Sequence, residues 1–152
     1  MKVDGFFDRV NDRHGGDMQC ATGCSDCCHV RLSVTGVEAD AIRALVATMP
    51  PDQREALQAE KLSDRCAALS PSGRCQIYEA RPFVCRTHGA PIRMTRNSLP
   101  VIESCFRNFA HTTPDKDCVL DQTTLSALTL AVDRAAGHDG SRIDLADLIR
   151  SC

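Results

Sequence analysis

The stretch Cys20-Ala21-Thr22-Gly23-Cys24-Ser25-Asp26-Cys27-Cys28 places four thiols within nine residues. Four more follow at Cys66, Cys75, Cys85 and Cys105. Thiolate sulfur is a soft ligand that suits zinc, Cu(I) and iron–sulfur clusters. Zinc takes four donors in a tetrahedron with sulfur at about 2.3 Å, and short spacings between cysteines let one loop supply two of them. Cys20/Cys24 and Cys24/Cys27 have that spacing. The adjacent pair Cys27-Cys28 is different. Neighbouring side chains diverge, to opposite faces of a strand or by about 100° around a helix. Such a pair would serve two neighbouring ions or a cluster, or one thiol would ligate while the other packs. Eight thiols at four per ion leave room for two centres.

The compartment matters to this reading. The N-terminal run Met1-Lys2-Val3-Asp4-Gly5-Phe6-Phe7-Asp8-Arg9 is interrupted by acidic residues and leads into no apolar segment, unlike a secretory signal. No apolar run approaches the roughly 18 residues of a membrane span. A cytoplasmic location is therefore expected, where clustered cysteines hold metal or do redox chemistry more often than they form disulfides. With 152 residues, the chain has one domain's worth of length. Aromatics make up only 4%, with no Trp and the single Tyr78. Leu, Val, Ile and Ala must fill the core, and bound metal would add the cross-links a lean core lacks. A net charge of −2 shows no basic excess. That argues against a nucleic-acid partner and against a polybasic membrane-surface protein. The expected partner is a metal ion; nothing in the sequence specifies a protein partner.

Local patterns predict a mainly α domain, stapled by metal, with irregular cysteine-bearing loops and one short strand. A short helix is expected near Val3 to Val10, broken at His14-Gly15-Gly16. Val30, Leu32 and Val34 alternate with polar neighbours and predict the strand. Thr35 and Glu38 have capping-box spacing, so a helix should start there. Val37, Ala41, Ala44 and Leu45 read as its apolar face, and Pro50-Pro51 as its stop. Asp52 would cap a second helix running to about Ser63, with Ala56, Leu57 and Leu62 inward. Ser70-Pro71-Ser72-Gly73 reads as a turn. Residues 91 to 118 hold three prolines and read as loops, with Leu99 to Phe109 packing on the core. Asp121 or Thr123 would cap a helix bearing Leu125, Leu128, Val132 and Ala135, ended by Gly137. Ile143 to Ile149 reads as a terminal helix. The organisation expected is an N-terminal segment over 1–19, a cysteine-cluster domain over 20–110 and a helical segment over 111–152 packed on that domain.

Around the second group of thiols the chain reads Gly73-Arg74-Cys75-Gln76-Ile77-Tyr78-Glu79-Ala80-Arg81-Pro82-Phe83-Val84-Cys85-Arg86. Guanidinium groups of Arg74, Arg81 and Arg86 would offset the negative charge of a tetrathiolate site and favour thiol deprotonation. Together the two cysteine groups resemble the CxxCxxCC cysteine-cluster family, also called YkgJ-like, over about residues 20 to 110. One departure is the first gap, three residues here and two in the family name. The resemblance implies a zinc- or iron-chelating domain. Its ligand set would be Cys20, Cys24, Cys27, Cys28, Cys66, Cys75, Cys85 and, as the eighth, Cys105. Cys118 and Cys152 lack ligand spacing and read as core residues. His29 and His88 read as neighbours of the site or as solvent-facing. His14, His111 and His138 read as surface residues.

No Ser/His/Asp order, phosphate loop or H-E-x-x-H pattern is visible. The primary expectation is a cytosolic metal-binding protein holding zinc, with iron or an iron–sulfur cluster as the alternative cofactor. Two other readings stand beside it. One is an iron–sulfur or iron-dependent enzyme or maturation factor acting on a peptide or protein. The other is a redox sensor that releases metal when its thiols oxidise.

Overall fold

The computed structural model describes residues 2–21, 23–59 and 64–152. Helices and short strands alternate along the chain. They are α1 (Lys2–His14), β1 (Ser33–Thr35), α2 (Gly36–Ala47), α3 (Pro51–Gln58), α4 (Phe83–Thr87), β2 (Ile92–Arg96), β3 (Leu99–Glu103), β4 (Leu120–Asp121), α5 (Gln122–Ala135), β5 (Arg142–Asp144) and α6 (Leu145–Ser151). The fold is mixed α/β, 46% helical and 14% strand with sheets of two and three strands, and not mainly α with one short strand. The region read as loops accounts for much of the difference. Pro91 precedes β2, and Pro100 lies in β3, which is the edge of a sheet ordered β3-β2-β4. Edge strands tolerate proline because the nitrogen can face away from the ladder. Asn97 and Ser98, at φ 51° and 65°, form the two-residue turn between β2 and β3. Both angles are positive, as a type I′ hairpin turn requires. None of the described helices is long and apolar enough to cross a membrane.

The chain divides into two compact units, Met1–Ala21 with Phe83–Thr129 and Thr22–Pro82 with Leu130–Cys152. In the second unit, β1 pairs antiparallel with β5 through Ser33↔Asp144, Val34↔Ile143 and Thr35↔Arg142. Thr35 then caps α2 in a full capping box, its N–H donating to Glu38 Oε2 at 2.8 Å. The face that α2 buries is Gly36, Ala39, Ile42 and Val46. The expected face was set one position off: Ala41 and Ala44 are exposed, and Val37 and Leu45 only half-buried. Against it pack Leu57 of α3, Ala68, Leu69 and Ile77 of the loops, and Leu145, Leu148 and Ile149 of α6. Asp144 caps α6, accepting from the N–H groups of Ala146 and Asp147 at 2.8 and 3.2 Å. The expected end of the second helix near Ser63, and Leu62 with it, lie outside the described residues.

Asp133 ties this unit together and is 0% exposed. Its two carboxylate oxygens accept from the N–H of Val37 at 2.9 Å and of Gly140 at 3.1 Å. The first is one of the orphan donors at the start of α2. His138 completes the join. Its Nε2 is 2.9 Å from Asp40, and its ring covers Gly36 so closely that a Cβ there would fall 2.3 Å from it. His138 is thus half-buried rather than a surface residue. Asp133→Ala leaves two donors without an acceptor, at about 1–3 kcal/mol each. A loss of about 2–4 kcal/mol is expected in denaturant unfolding at fixed metal content. Asp133→Asn should recover only part, because its NH2 would face another N–H.

The first unit has its own apolar cluster of Phe6, Val10, Met18, Ala90 and Cys118, with Phe7, Phe109 and Leu120 packed on it. The β2–β3 hairpin is joined by a parallel β4, which pairs Leu120 with Ile92. Of the stretch Leu99 to Phe109, Phe109 packs on this core as expected, while Leu99, Ile102 and Phe106 are exposed.

Candidate metal centre

Five of the predicted ligands, Cys24, Cys27, Cys28, Cys66 and Cys75, belong to the unit formed by Thr22–Pro82 and Leu130–Cys152. Asp26–Cys28 is a single 3₁₀ turn, with the N–H of Cys28 donating to Ser25 O at 2.8 Å. The Cys28 carbonyl accepts the N–H of Cys66 at 2.7 Å, which locks the two cysteine segments together. Cys66 begins a tight turn. Leu69 N–H donates to Cys66 O at 3.0 Å, and the backbone N–H groups of Ala68 and Leu69 draw the Cys66 thiol down, as that of Ile77 does at Cys75. Such N–H groups favour thiolate over thiol. A short antiparallel bridge between Leu69 and Cys75, with Gln76 N–H donating to Ala68 O at 2.8 Å, sets the second thiol beside the first. The Ser70–Gly73 turn makes this possible. Gly73 N–H donates to Ser70 O at 3.0 Å, and Gly73 has φ +76°, which favours glycine. A Cβ at Gly73 would lie 3.6 Å from Ser25 Oγ and 3.8 Å from Gly23 O, so the turn lies against the loop that carries Cys24.

Four of these thiols feel one another's charge. Cys28 is held far above the ordinary thiol range. Its hydrogen bond to Cys27 contributes most, then burial, then the charges of Cys27, Cys66 and Cys75. Burial pushes Cys66 up, and Cys27 adds to it. Burial does the same to Cys75, with Cys66 and Cys27 adding and the Arg81 guanidinium opposing. Removing a proton from any one of them makes the next harder to remove. A bound cation relieves that conflict, which is the fit expected of a thiolate site. Cys27 is exposed and Cys28 half-buried against the apolar core, so one of the adjacent thiols faces out while the other packs, yet the pair shares a hydrogen bond.

The other predicted ligands, Cys20, Cys85 and Cys105, belong to the unit formed by Met1–Ala21 and Phe83–Thr129. Their segments meet at Asn108, which is 2% exposed. Its Nδ2 donates to Cys20 Sγ at 3.3 Å and to Gly89 O at 2.8 Å. Its Oδ1 accepts from Gln19 N–H at 2.8 Å, and its own N–H donates to Cys105 O at 2.8 Å. Gly89, four residues after Cys85, has φ +94°, and a Cβ there would fall 2.8 Å from the Cys20 sulfur. The sequence gives no sign of Asn108; a lone Asn in a proline-bearing stretch reads as a turn residue.

Of the three arginines expected to crowd the thiols, Arg81 does act on Cys75, and its guanidinium lies 4.3 Å from the centre of the Tyr78 ring. Arg86 instead pairs with Asp4 at 3.1 Å, and Arg74 is exposed. His29 and His88 are exposed. Cys152 packs on the core and its thiol donates to Leu148 O at 3.2 Å.

The cysteines of each unit come from segments far apart in the chain. Residues 19–120 match the CxxCxxCC family, a putative zinc- or iron-chelating domain. The chain belongs to that family, and membership supports metal binding with zinc and iron as the candidates. No curated protein and no solved structure matches it.

Proposed function

We propose that the protein is a cytosolic metal-binding protein that holds zinc through thiolates of Cys20, Cys24, Cys27, Cys28, Cys66, Cys75, Cys85 and Cys105. The single observation that carries this reading is the charge-coupled group of Cys27, Cys28, Cys66 and Cys75. Each of these thiols opposes ionisation of the others, and a bound cation would offset the charge that their deprotonation creates. Cys24 belongs with this group by its loop, and Cys20, Cys85 and Cys105 form a second one around Asn108. Zinc is preferred to iron because all-thiolate sites without a redox partner commonly hold zinc. The backbone N–H groups that oppose the upward shift at Cys66 and Cys75 suit a charged, structural site.

The alternative is an iron–sulfur or iron-dependent enzyme or maturation factor acting on a peptide or protein. What favours keeping it is the exposure of Cys20, Cys24 and Cys27, which puts sulfur within reach of solvent and of other molecules. Metal analysis and an absorption spectrum on anaerobically prepared protein separate the two. Zinc without visible absorption is expected. A brown protein with iron and sulfide would overturn the choice of zinc, and protein purified with no bound metal that also fails to take up zinc or iron would overturn the reading.

A further inference from the structure

A second kind of ligand set lies away from the clustered cysteines. One nitrogen of His14, one carboxylate oxygen of Asp115 and the sulfur of Cys118 lie within 4.8 Å of one another. It is the group of three potential ligand atoms that the described residues bring this close. We propose that His14, Asp115 and Cys118 form a separate binding site for a divalent cation of the zinc class.

Local structure explains the convergence. Asp115 is the N-cap of the 3₁₀ turn Lys116–Cys118, and the N–H of Cys118 donates to Asp115 O at 2.9 Å. In a 3₁₀ turn, side chains three residues apart eclipse one another. Asp115 and Cys118 therefore project to the same side. His14 is the last residue of the 13-residue α1, where the helix dipole is negative and favours a cation. Its Nε2 is 3.4 Å from Asp115 Oδ2 and accepts a long hydrogen bond from Asp115 N–H, also at 3.4 Å. The other nitrogen, Nδ1, faces Asp17 Oδ2 at 3.6 Å. A carboxylate facing one ring nitrogen while the other faces the ligand group is the arrangement that orients metal-binding imidazoles.

Exposure fits as well. His14 was expected at the surface, but its side chain is only 14% exposed and its ring packs edge-on to Phe109. Cys118 is 0% exposed, while Asp115 opens to solvent and offers an entry path. One carboxylate and one thiolate neutralise a divalent ion. A competing cation, Arg13, lies 3.9 Å from Asp115, and its closer partner is Asp117. Three protein donors leave a fourth position of a zinc tetrahedron for water or a further ligand. The site uses none of the eight clustered cysteines, so it stands or falls independently of them.

The test is equilibrium dialysis of the full chain against buffered Zn2+, counting bound zinc by elemental analysis. Wild type should bind one equivalent more than His14→Asn, Asp115→Asn or Cys118→Ser. Asp17→Asn should keep that equivalent at about 10–100-fold weaker affinity. Asp115 is exposed, so its variant guards against loss through misfolding of the buried Cys118 variant. Cys152→Ser, which removes an unrelated thiol, should bind as wild type does. If His14→Asn and Asp115→Asn hold as much zinc as wild type at the same free zinc, His14 and Asp115 form only an ion pair and the proposal is overturned. Cys75→Ala should reduce cluster zinc and leave this equivalent in place, so failure of either site is read separately.

Discussion

Cys75→Ala is expected to strip metal from the Cys27–Cys28–Cys66–Cys75 group and to unfold the unit around it. Structural zinc supplies about 10–16 kcal/mol in small domains. Whole domains are stable by only about 5–15 kcal/mol. Cutting four sulfurs to three should therefore remove most or all of the stability of that unit. Soluble yield should fall with metal content, and Cys27→Ala should behave alike. The thiol itself is a small half-buried side chain, and truncating it without metal should cost about 1 kcal/mol. Comparing wild type and variant with and without chelator separates the two contributions. A large difference in loaded protein and a small one in stripped protein are expected. A Cys75→Ala protein that retains full zinc content and wild-type unfolding would show that this thiol is no ligand.

The second large effect is a reversal of pH dependence on metal removal. In the stripped protein, burial and neighbouring thiols hold Cys28, Cys66 and Cys75 above the ordinary value of 9.0. Above that pH the folded state keeps protons that the unfolded chain has released. Stability follows proton binding, so it is fully present below 9.0 and is lost as pH rises beyond it. Loaded protein has the opposite sign. There the native state holds thiolates, the unfolded chain takes up protons, and acid destabilises. Affinity should fall by about tenfold per pH unit for each proton displaced. Thermal melts followed by circular dichroism, with and without chelator, give the two profiles. Parallel curves would argue that no proton is exchanged for metal at these thiols.

Much of this arrangement is legible in the chain before folding. The capping box at Thr35 and Glu38, the Ser70–Gly73 turn and the stop at Pro50-Pro51 depend on neighbours a few residues away, and they appear where expected. Gly137, at φ +90°, ends α5 as expected, and Asp121 rather than Thr123 caps it, accepting Thr124 N–H at 2.9 Å. The β2–β3 hairpin is hidden because its prolines sit where an edge strand allows them, which depends on strand order. The α2 face is misread because Ala41 and Ala44 are small enough to face water without cost, while Gly36 and Ala39 are chosen for close approach. Asp133 and Asn108 are illegible for another reason. Their partners lie as far as 96 and 89 residues away, and nothing local distinguishes them. His14 and Cys118 are illegible as neighbours because spacing in sequence cannot register side chains brought together from 104 residues apart.

Pro100 has a consequence for how copies of this protein meet. The register Arg96↔Leu99 makes the pair flanking the two-residue turn the hydrogen-bonded one, so position 100 aims its nitrogen outward from the sheet. A proline there offers an incoming chain no donor. Leu99 and Ile102 would otherwise present an exposed, greasy border suited to recruiting another strand. The missing donor makes this border a poorer template for an added strand, and Pro100→Val would restore it.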